Sequence, residues 1–175
     1  MASKYFIKYF DVIGVEHKLD IYDDSYVGES TQVDGNVVLN YADTDNPLEA
    51  IRGQGLSVQL EANKDLTFSS LWSENEKTYK VIYKRNDITL FIGWLNPEGF
   101  FENYVDTNWI VTFDCVDGFG YLKDLSFVEE NGLPIVGRKT YIEILAIALQ
   151  RTGLFLNIHT SIDIRYTGLS DTLDV

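Results

Sequence analysis

Ile88–Leu125 reads ITLFIGWLNPEGFFENYVDTNWIVTFDCVDGFGYLKDL and carries the clearest β signal in the chain. Ile88–Leu95 is rich in β-branched and aromatic residues, which favour strands. We expect this strand to end at the turn residues Pro97 and Gly99, because proline lacks a ladder donor and glycine permits turn dihedrals. In Trp109–Val116, apolar residues alternate with the two-residue period of a half-buried strand. The stretch therefore predicts strand, turn and strand.

A second predicted turn follows at Asp117-Gly118-Phe119-Gly120. We expect the Asp117 carboxylate to accept hydrogen bonds from the following amides, and Gly118 and Gly120 to adopt positive φ. The segment contains G-x-G, but it lacks G-x-G-x-x-G and no βαβ unit follows, so it does not predict a phosphate site. We interpret it as a structural corner.

The chain before Ile88 contains more strand patterns, separated by glycine, proline and Asx-rich turns. Turn signals about every 8–12 residues are typical of a sandwich or barrel. We therefore predict a mainly β fold, with a β-barrel or sandwich domain of about eight strands over residues 1–135. A single helical turn is expected in Asp65–Trp72 and a hairpin turn at Arg85–Asp87. The predicted strands and extended segments are Lys4–Phe10, Val15–Tyr22, Asn36–Tyr41, Leu48–Arg52, Gly55–Ala62 and Tyr79–Lys84.

One strong helix signal lies near the end of the chain. Thr140 and Glu143 form a capping box, in which each side chain satisfies a backbone amide of the other residue. The following run, Tyr141–Arg151, is apolar almost all round, so we expect a helix that is buried on more than one side. Short strands are predicted at Phe155–Ile158 and Ile162–Tyr166. Residues 136–175 are thus interpreted as the start of a second, truncated domain, ending in a polar tail.

Composition excludes several classes of partner. The 175 residues include 14 basic and 27 acidic side chains, a net charge of -13. Nucleic acid and anionic membrane surfaces both require cationic residues, so we expect neither as a partner. Met1–Phe10 lacks the apolar core of a signal peptide, and no run approaches the roughly 18 apolar residues of a membrane span. Cys115 is the single cysteine and is expected to be a buried apolar residue.

No group of residues predicts catalysis, a cofactor or a metal site. His17 and His159 are the two histidines and are interpreted as structural. No G-x-S-x-G nucleophile motif is present. Asp43–Asn46 resembles the start of a calcium loop, but Pro47 and Leu48 occupy positions that require an Asx residue and a glycine. The chain is therefore expected not to be an enzyme.

Paired acidic and aromatic residues leave two alternatives. Asp23-Asp24 and Glu129-Glu130 are paired carboxylates, which a hydrolase could use, although no apolar pocket pattern surrounds them. The three tryptophans could line a carbohydrate-binding groove, while burial in the core or an interface is the simpler interpretation. They are Trp72, Trp94 and Trp109.

Three segments together resemble phage tail and baseplate hub-like proteins, and more specifically tail proteins encoded by prophages of Bacteroidetes-type bacteria. They are LFIGWLNPEG (Leu90–Gly99), WIVTFDCVDGFGYLKDLSF (Trp109–Phe127) and a capped helix ending at Thr152-Gly153-Leu154. The resemblance covers roughly residues 79–156, and Phe119 departs from it, because leucine is expected there. The matching turn and apolar positions are Gly93, Leu95, Pro97, Asp117, Gly118, Gly120 and Leu122.

The resemblance implies a structural role. Hub proteins of this kind are built from β-barrel-like domains, form a ring between the tail tube and the spike or fibres, and have no enzyme activity in those domains. It thus implies a homo-oligomeric ring that contacts other tail or baseplate proteins. The expected location is the virion tail, assembled in the cytoplasm of the bacterial host without a signal peptide. A carbohydrate-binding β-sandwich module is the alternative function.

Overall fold

A computed structural model describes residues 2–41, 53–64, 66–102, 108–122, 126–128, 131–154 and 172–174. The chain divides into two compact units, Met1–Asp117 and Gly118–Val175, which are described separately. This division lies before the domain boundary predicted after residue 135, and the domain assignment stays a prediction. Three predicted segments lie outside the described residues: Leu48–Arg52, Phe155–Ile158 and Ile162–Tyr166. Within the described part of the chain, no helix is long and apolar enough to cross a membrane.

The first unit is one mixed sheet of eight strands, which confirms the mainly β prediction. The strand order is β3-β1-β2-β6-β7-β8-β5-β4, and the sheet is not closed into a barrel by pairing of its end strands. Neighbouring strands are antiparallel, except that β3 runs parallel to β1. The predicted helical turn is a 3-10 turn at Ser69–Leu71. The strands are β1 (Ala2–Phe10), β2 (Glu16–Asp23), β3 (Thr31–Gln32), β4 (Gly35–Tyr41), β5 (Gln54–Ala62), β6 (Tyr79–Arg85), β7 (Ile88–Glu102) and β8 (Trp109–Val116).

A single stretch of chain supplies both end strands of this sheet. Only residues 33 and 34 separate β3, which pairs with β1, from β4, which pairs with β5. The amide of Val33 donates to the Phe6 carbonyl of β1 at 2.9 Å, and the amide of Glu61 in β5 donates to the Asp34 carbonyl at 2.9 Å. The chain therefore crosses from one edge of the sheet to the other within two residues.

Gly35 is the residue that this crossing requires. A Cβ at Gly35 would overlap the carbonyl oxygen of Gln59 and would lie 3.0 Å from Cδ1 of Ile7. Real side chains do not approach a backbone oxygen so closely, so the position admits only glycine. The close approach brings the two edges of the sheet together over one core.

Alternate residues of each strand form that core, as the two-residue pattern predicts. In β8, Trp109, Val111, Phe113 and Cys115 are all buried, and in β5 Leu56, Val58, Leu60 and Ala62 are buried. Phe68, which precedes the 3-10 turn, and Leu71, its last residue, are completely buried in the same cluster. Each large apolar side chain buried in this way contributes about 1.5–3 kcal/mol to folding.

The predicted end of the strand at Pro97 and Gly99 is wrong. β7 continues to Glu102 and pairs with β8 on both sides of these residues, with Asn96 opposite Asp114 and Phe101 opposite Thr112. The register shift between these two pairs places Pro97–Phe100 in a bulge. A bulge tolerates the missing amide of a proline, so pairing with β8 overrides the local turn preference.

The predicted corner after β8 is partly different from the expectation. Gly118 has a positive φ of 82°. Gly120, however, lies in the one-turn helix α1 (Phe119–Leu122), not in a tight turn. The Asp117 carboxylate accepts a hydrogen bond from the amide of Gln54 at 2.6 Å, so it connects the end of β8 to the start of β5.

The second unit contains the predicted helix and a short two-stranded sheet. Thr140 and Glu143 form the predicted capping box: the amide of Glu143 donates to Thr140 Oγ1 at 3.2 Å, and the amide of Thr140 donates to Glu143 Oε2 at 2.7 Å. These bonds, the Thr140 amide first, hold the pKa of Glu143 below its ordinary value. The elements after α1 are β9 (Arg138–Thr140), α2 (Tyr141–Gln150) and β10 (Thr172–Asp174), which pairs antiparallel with β9.

The predicted burial of this helix is wrong. No residue of α2 is buried, and Tyr141, Ile142 and Leu145 are well exposed. An apolar helix needs partners on several sides, whereas its main described neighbour is the three-residue strand β9. The polar tail predicted at the end of the chain contains β10, so part of it is ordered by pairing with β9.

Candidate functional site

Two turns lie side by side at one end of the sheet in the first unit. One joins β1 to β2 and the other joins β6 to β7. The amide of Glu16 donates to Asn86 Oδ1 at 3.1 Å, and the amide of Asn86 donates to the Glu16 carbonyl at 2.9 Å. Asn86 and Asp87 have φ of 45° and 62°, as a two-residue hairpin turn requires, which confirms the hairpin predicted there.

Asp11 holds the β1–β2 turn in a defined shape. Its Oδ1 accepts hydrogen bonds from the amides of Ile13 at 3.0 Å and Val15 at 2.9 Å. The pKa of this carboxyl is lowered, and the largest cause is the hydrogen bond from the Val15 amide. Burial acts in the opposite direction, while the bond from the Ile13 amide and the interaction with His17 lower the pKa further. Because its carboxylate is committed to backbone amides, Asp11 acts as a turn-forming residue.

Four large apolar side chains project from these turns into solvent. The exposed fractions are 62% for Phe10, 104% for Val12, 75% for Ile13 and 66% for Ile88. We call these four residues the turn surface. Single exposed apolar residues are common, but a group on adjacent turns is typical of an interaction site.

A polar and aromatic cluster lies beneath the turn surface. Nδ1 of His17 and the Tyr83 hydroxyl share a 2.6 Å hydrogen bond, and Nε2 of His17 lies 3.4 Å from Asp11 Oδ2. The Tyr9 ring stacks on the imidazole with centroids 4.9 Å apart. Burial, and then a hydrogen bond with Tyr9, raises the pKa of Tyr83 above its ordinary value. The phenol therefore stays protonated at neutral pH, and the cluster is suited to supporting the turn.

Basic side chains border the turn surface on β6 and the outer face of the sheet. Lys8 pairs across the strands with Lys18, and Lys18 with Lys84, so three lysines form a row. Lys8 Nζ lies 2.9 Å from Glu16 Oε2, and Lys18 Nζ lies 2.9 Å from Asp20 Oδ1. These two lysines are therefore paired with carboxylates. Within the described residues, Lys84 and its exposed neighbour Arg85 form no ion pair.

The site residues predicted from sequence belong to different elements. Pro97 and Gly99 lie in the β7 bulge, Asp117 follows β8, and the cap residues Thr140 and Glu143 belong to the second unit. The turn surface was not predicted from the sequence. Its signal was the Val12-Ile13 pair in a turn bounded by Asp11 and Gly14, where solvated residues are usual.

The cysteine and the tryptophans, which were weighed as reactive or sugar-binding residues, do not form such a site. Cys115 is buried in the core, which raises the pKa of its thiol. Trp94 and Trp109 are buried and Trp72 is exposed, so the three rings do not form one open groove. In the part of the chain that the structure describes, no three His, Cys, Asp or Glu side chains are grouped as a metal site would require. Asp43–Asn46, Glu129-Glu130 and His159 lie outside that part.

Similarity to known proteins is found among solved structures. No protein-family model matches the chain, and no curated protein matches it. One similar solved structure is the 43 kDa tail protein of prophage MuSo2 from Shewanella oneidensis, with a TM-score of 0.47 and 11% sequence identity. The alignment covers 83% of this chain and 40% of that protein, so this chain spans less than half of its length. By its name, that protein is a phage tail protein.

Proposed function

We propose that this chain is a structural component of a phage tail or tail-like particle, in the baseplate or hub region. In this proposal it works by assembly with further copies of itself and with other tail proteins, and not by catalysis. The observation that carries the assembly role is the turn surface, in which four apolar side chains are held out into solvent by two hydrogen-bonded turns. The sequence resemblance supplies the tail setting.

The chemistry beneath the turn surface supports a non-catalytic role. A catalytic Tyr–His–Asp group would need a phenol or carboxylate that is available to a substrate. Here Asp11 accepts two backbone amides, and the Tyr83 phenol is held protonated and bonded to His17. These groups stabilise a rigid turn, and a rigid turn presents apolar side chains to a partner without a large loss of conformational entropy.

A ring arrangement is part of the proposal. Copies that repeat one contact between two different surfaces close into a ring when the rotation between neighbours allows it. The net charge of -13 keeps unassembled copies soluble, so the apolar turn surface can remain exposed before assembly. The virion tail, assembled in the host cytoplasm, is the location that goes with this role.

Particle composition tests the proposed function. Particles from cells that encode the chain should be purified on a density gradient, and the chain should be quantified in them by mass spectrometry. We expect it to sediment with the particles, and we expect its deletion to leave incomplete tails in electron micrographs. Recovery of the chain only in the unassembled fraction, with intact tails after deletion, would contradict the proposal.

A complementation experiment then tests the turn surface. The double variant Val12→Asp/Ile13→Asp should fold but fail to restore complete tails in the deletion strain. The matched control is Val136→Asp, which changes an aliphatic side chain that is 70% exposed outside the turn surface. Equal restoration of complete tails by both variants would show that the turn surface is not needed for tail assembly.

The alternative carbohydrate-binding function has less support. A sugar platform needs exposed aromatic rings, and of the three tryptophans only Trp72 is exposed, at 52%. Titration of the tryptophan fluorescence with oligosaccharides tests this alternative. It would detect sugar binding even if Trp72 alone contacted the sugar. We expect no saturable change in the fluorescence.

A further inference from the structure

The end of the sheet opposite the turn surface exposes acidic side chains, whereas the turn surface lies beside basic ones. In the pairing of β2 with β6, His17 lies opposite Arg85 at the turn surface, and Asp23 lies opposite Tyr79 at the other end. Two segments meet this other end: residues 24–30, which follow β2, and residues 72–78, which precede β6. Lys4 holds the region together, because its Nζ lies 3.6 Å from Asp23 Oδ2 and 3.5 Å from Ser70 Oγ.

These two segments expose apolar and acidic side chains together. Val27 is 97% exposed and Trp72 is 52% exposed. Four carboxylates in the same segments are exposed, and Lys77 is their one basic residue. We call the following residues the acidic end: Asp24, Val27, Glu29, Trp72, Glu74 and Glu76.

The turn surface and its neighbouring cations form the opposite counterpart. We call Phe10, Val12, Ile13, Ile88, Lys84 and Arg85 the basic end. Among the described residues, neither these two cations nor the four carboxylates of the acidic end form an ion pair within the chain. Each end therefore offers exposed apolar area beside charges that form no ion pair with another described residue.

We propose that the basic end of one copy of this chain binds the acidic end of the next copy. The apolar side chains of the two ends would be removed from water together, and Lys84 and Arg85 would meet the carboxylates of the neighbour. Because the two ends differ, the contact is heterologous, and its repetition gives a closed ring or a filament. This inference deepens the assembly role proposed above by assigning its self-contact.

The charges make the contact sensitive to salt. Ion pairs at the rim of an interface are screened over about 10 Å at 0.1 M salt. They set the rate and selectivity of association, while the apolar anchors account for most of the affinity. Raising sodium chloride should therefore reduce the difference in self-association between wild type and a variant without Lys84 and Arg85, and self-association should depend on residues at both ends.

Sedimentation velocity of the full chain tests the contact. The basic-end variant is Ile13→Ser/Lys84→Gln/Arg85→Gln, and the acidic-end variant is Val27→Ser/Glu74→Gln/Glu76→Gln. Circular dichroism and thermal unfolding establish that both are folded. We expect wild type to form larger species as its concentration rises, and each variant to associate about tenfold or more weakly, because its apolar anchor is lost.

An equimolar mixture of the two variants gives the decisive result. One intact basic end and one intact acidic end remain in the mixture, so it should form a dimer and nothing larger. The matched control, Lys64→Gln/Val136→Ser, changes exposed residues outside both ends and should associate like wild type. A monomeric wild type, wild-type association by either variant, or a monomeric mixture would overturn the inference.

These outcomes are separable from those of the proposed function. If the chain is present in particles but both end variants assemble normally, the contact is wrong and the tail role stands. If the mixture forms the dimer but the chain is absent from particles, the contact stands and the tail role is wrong.

Discussion

Gly93 occupies a crowded backbone position in β7. A Cβ there would overlap the carbonyl oxygen of Val116 and lie 2.6 Å from Cζ of the buried Phe91 ring. Neither atom can move without disturbing the pairing of β7 with β8 or the core. We expect Gly93→Ala to lower the free energy of unfolding by about 1–3 kcal/mol, the usual cost of overpacking, as measured by urea denaturation.

Gly55 provides the matched control for Gly93. It also lies in a strand that is paired on both sides, but the nearest atom to an added Cβ would be the Cys115 carbonyl oxygen at 3.8 Å, an ordinary contact. Gly55→Ala should therefore be neutral or slightly stabilising. Equal destabilisation by the two substitutions would show that strand geometry, and not the close approach at Gly93, determines the cost.

Asp23 makes stability depend on pH. Burial alone would raise the pKa of this carboxyl, but hydrogen bonds from Ser25 and the charge of Lys4 hold it below its ordinary value of 3.8. A lowered folded-state pKa stabilises the fold above the unfolded pKa, and this contribution is lost as pH falls through the folded value. Stability of wild type should thus fall below about pH 4.

Asp23→Asn separates this contribution from general acid unfolding. We expect the free energy of unfolding to fall by about 1–2 kcal/mol at pH 7, because a hydrogen bond to a charged group is removed. We also expect the stability of the variant to change less between pH 7 and pH 3 than the stability of wild type does. Asp24→Asn, at the exposed neighbouring position, should change stability by less than about 0.5 kcal/mol. If the two variants had the same pH profile of unfolding, Asp23 would not have the role described.

At the scale of elements, Asp117 connects β8 to β5. Its Oδ2 accepts the amide of Gln54 at 2.6 Å. Asp117→Ala should leave a backbone donor unsatisfied and cost about 1–3 kcal/mol in chemical denaturation. Asp117→Asn keeps an acceptor oxygen and should cost less, so a larger loss for the asparagine variant would exclude this hydrogen bond as the cause.

The capping box determines where α2 begins. Thr140→Ala removes the oxygen that accepts the Glu143 amide and should weaken the helix by about 1 kcal/mol. Hydrogen exchange of the α2 amides should then be faster by about fivefold, since 1.4 kcal/mol corresponds to a factor of ten. Thr140→Ser retains the hydroxyl and should exchange like wild type. Unchanged exchange in the alanine variant would contradict the capping role.

Elements with a regular burial pattern were predictable from sequence. In β8, and in β5 from Leu56 onward, every second residue is buried, so a period of two identifies them. β3 has two residues and is ordered by parallel pairing with β1, which no local pattern records. β7 passes through Pro97 because pairing with β8 outweighs local turn chemistry.

The candidate site depended on contacts that sequence does not show. Val12 and Ile13 are visible as an apolar pair in a turn, and Asn86-Asp87 is visible as a hairpin turn. Their adjacency follows from hydrogen bonds between Glu16 and Asn86, which are 70 residues apart. A surface formed by two distant turns requires the strand order to be known first.

At the scale of the whole molecule, charge and exposed apolar area are distributed unevenly. The chain has a net charge of -13, yet Lys84 and Arg85 lie beside the apolar turn surface. The two segments that expose Val27 and Trp72 at the other end of the sheet also carry four exposed carboxylates. The proposed head-to-tail contact pairs the basic end of one copy with the acidic end of the next. In the proposed tail role, this contact would form within the tail.

Cross-linking between labelled copies tests this account most directly. A mixture of unlabelled and 15N-labelled chains should be treated with a carbodiimide, which joins an amine to a carboxylate without a spacer. Mass spectrometry should find Lys84 linked to Glu74 or Glu76 in peptides that pair one labelled and one unlabelled partner. Links confined to a single label, or links between copies that avoid these two ends, would contradict the head-to-tail contact.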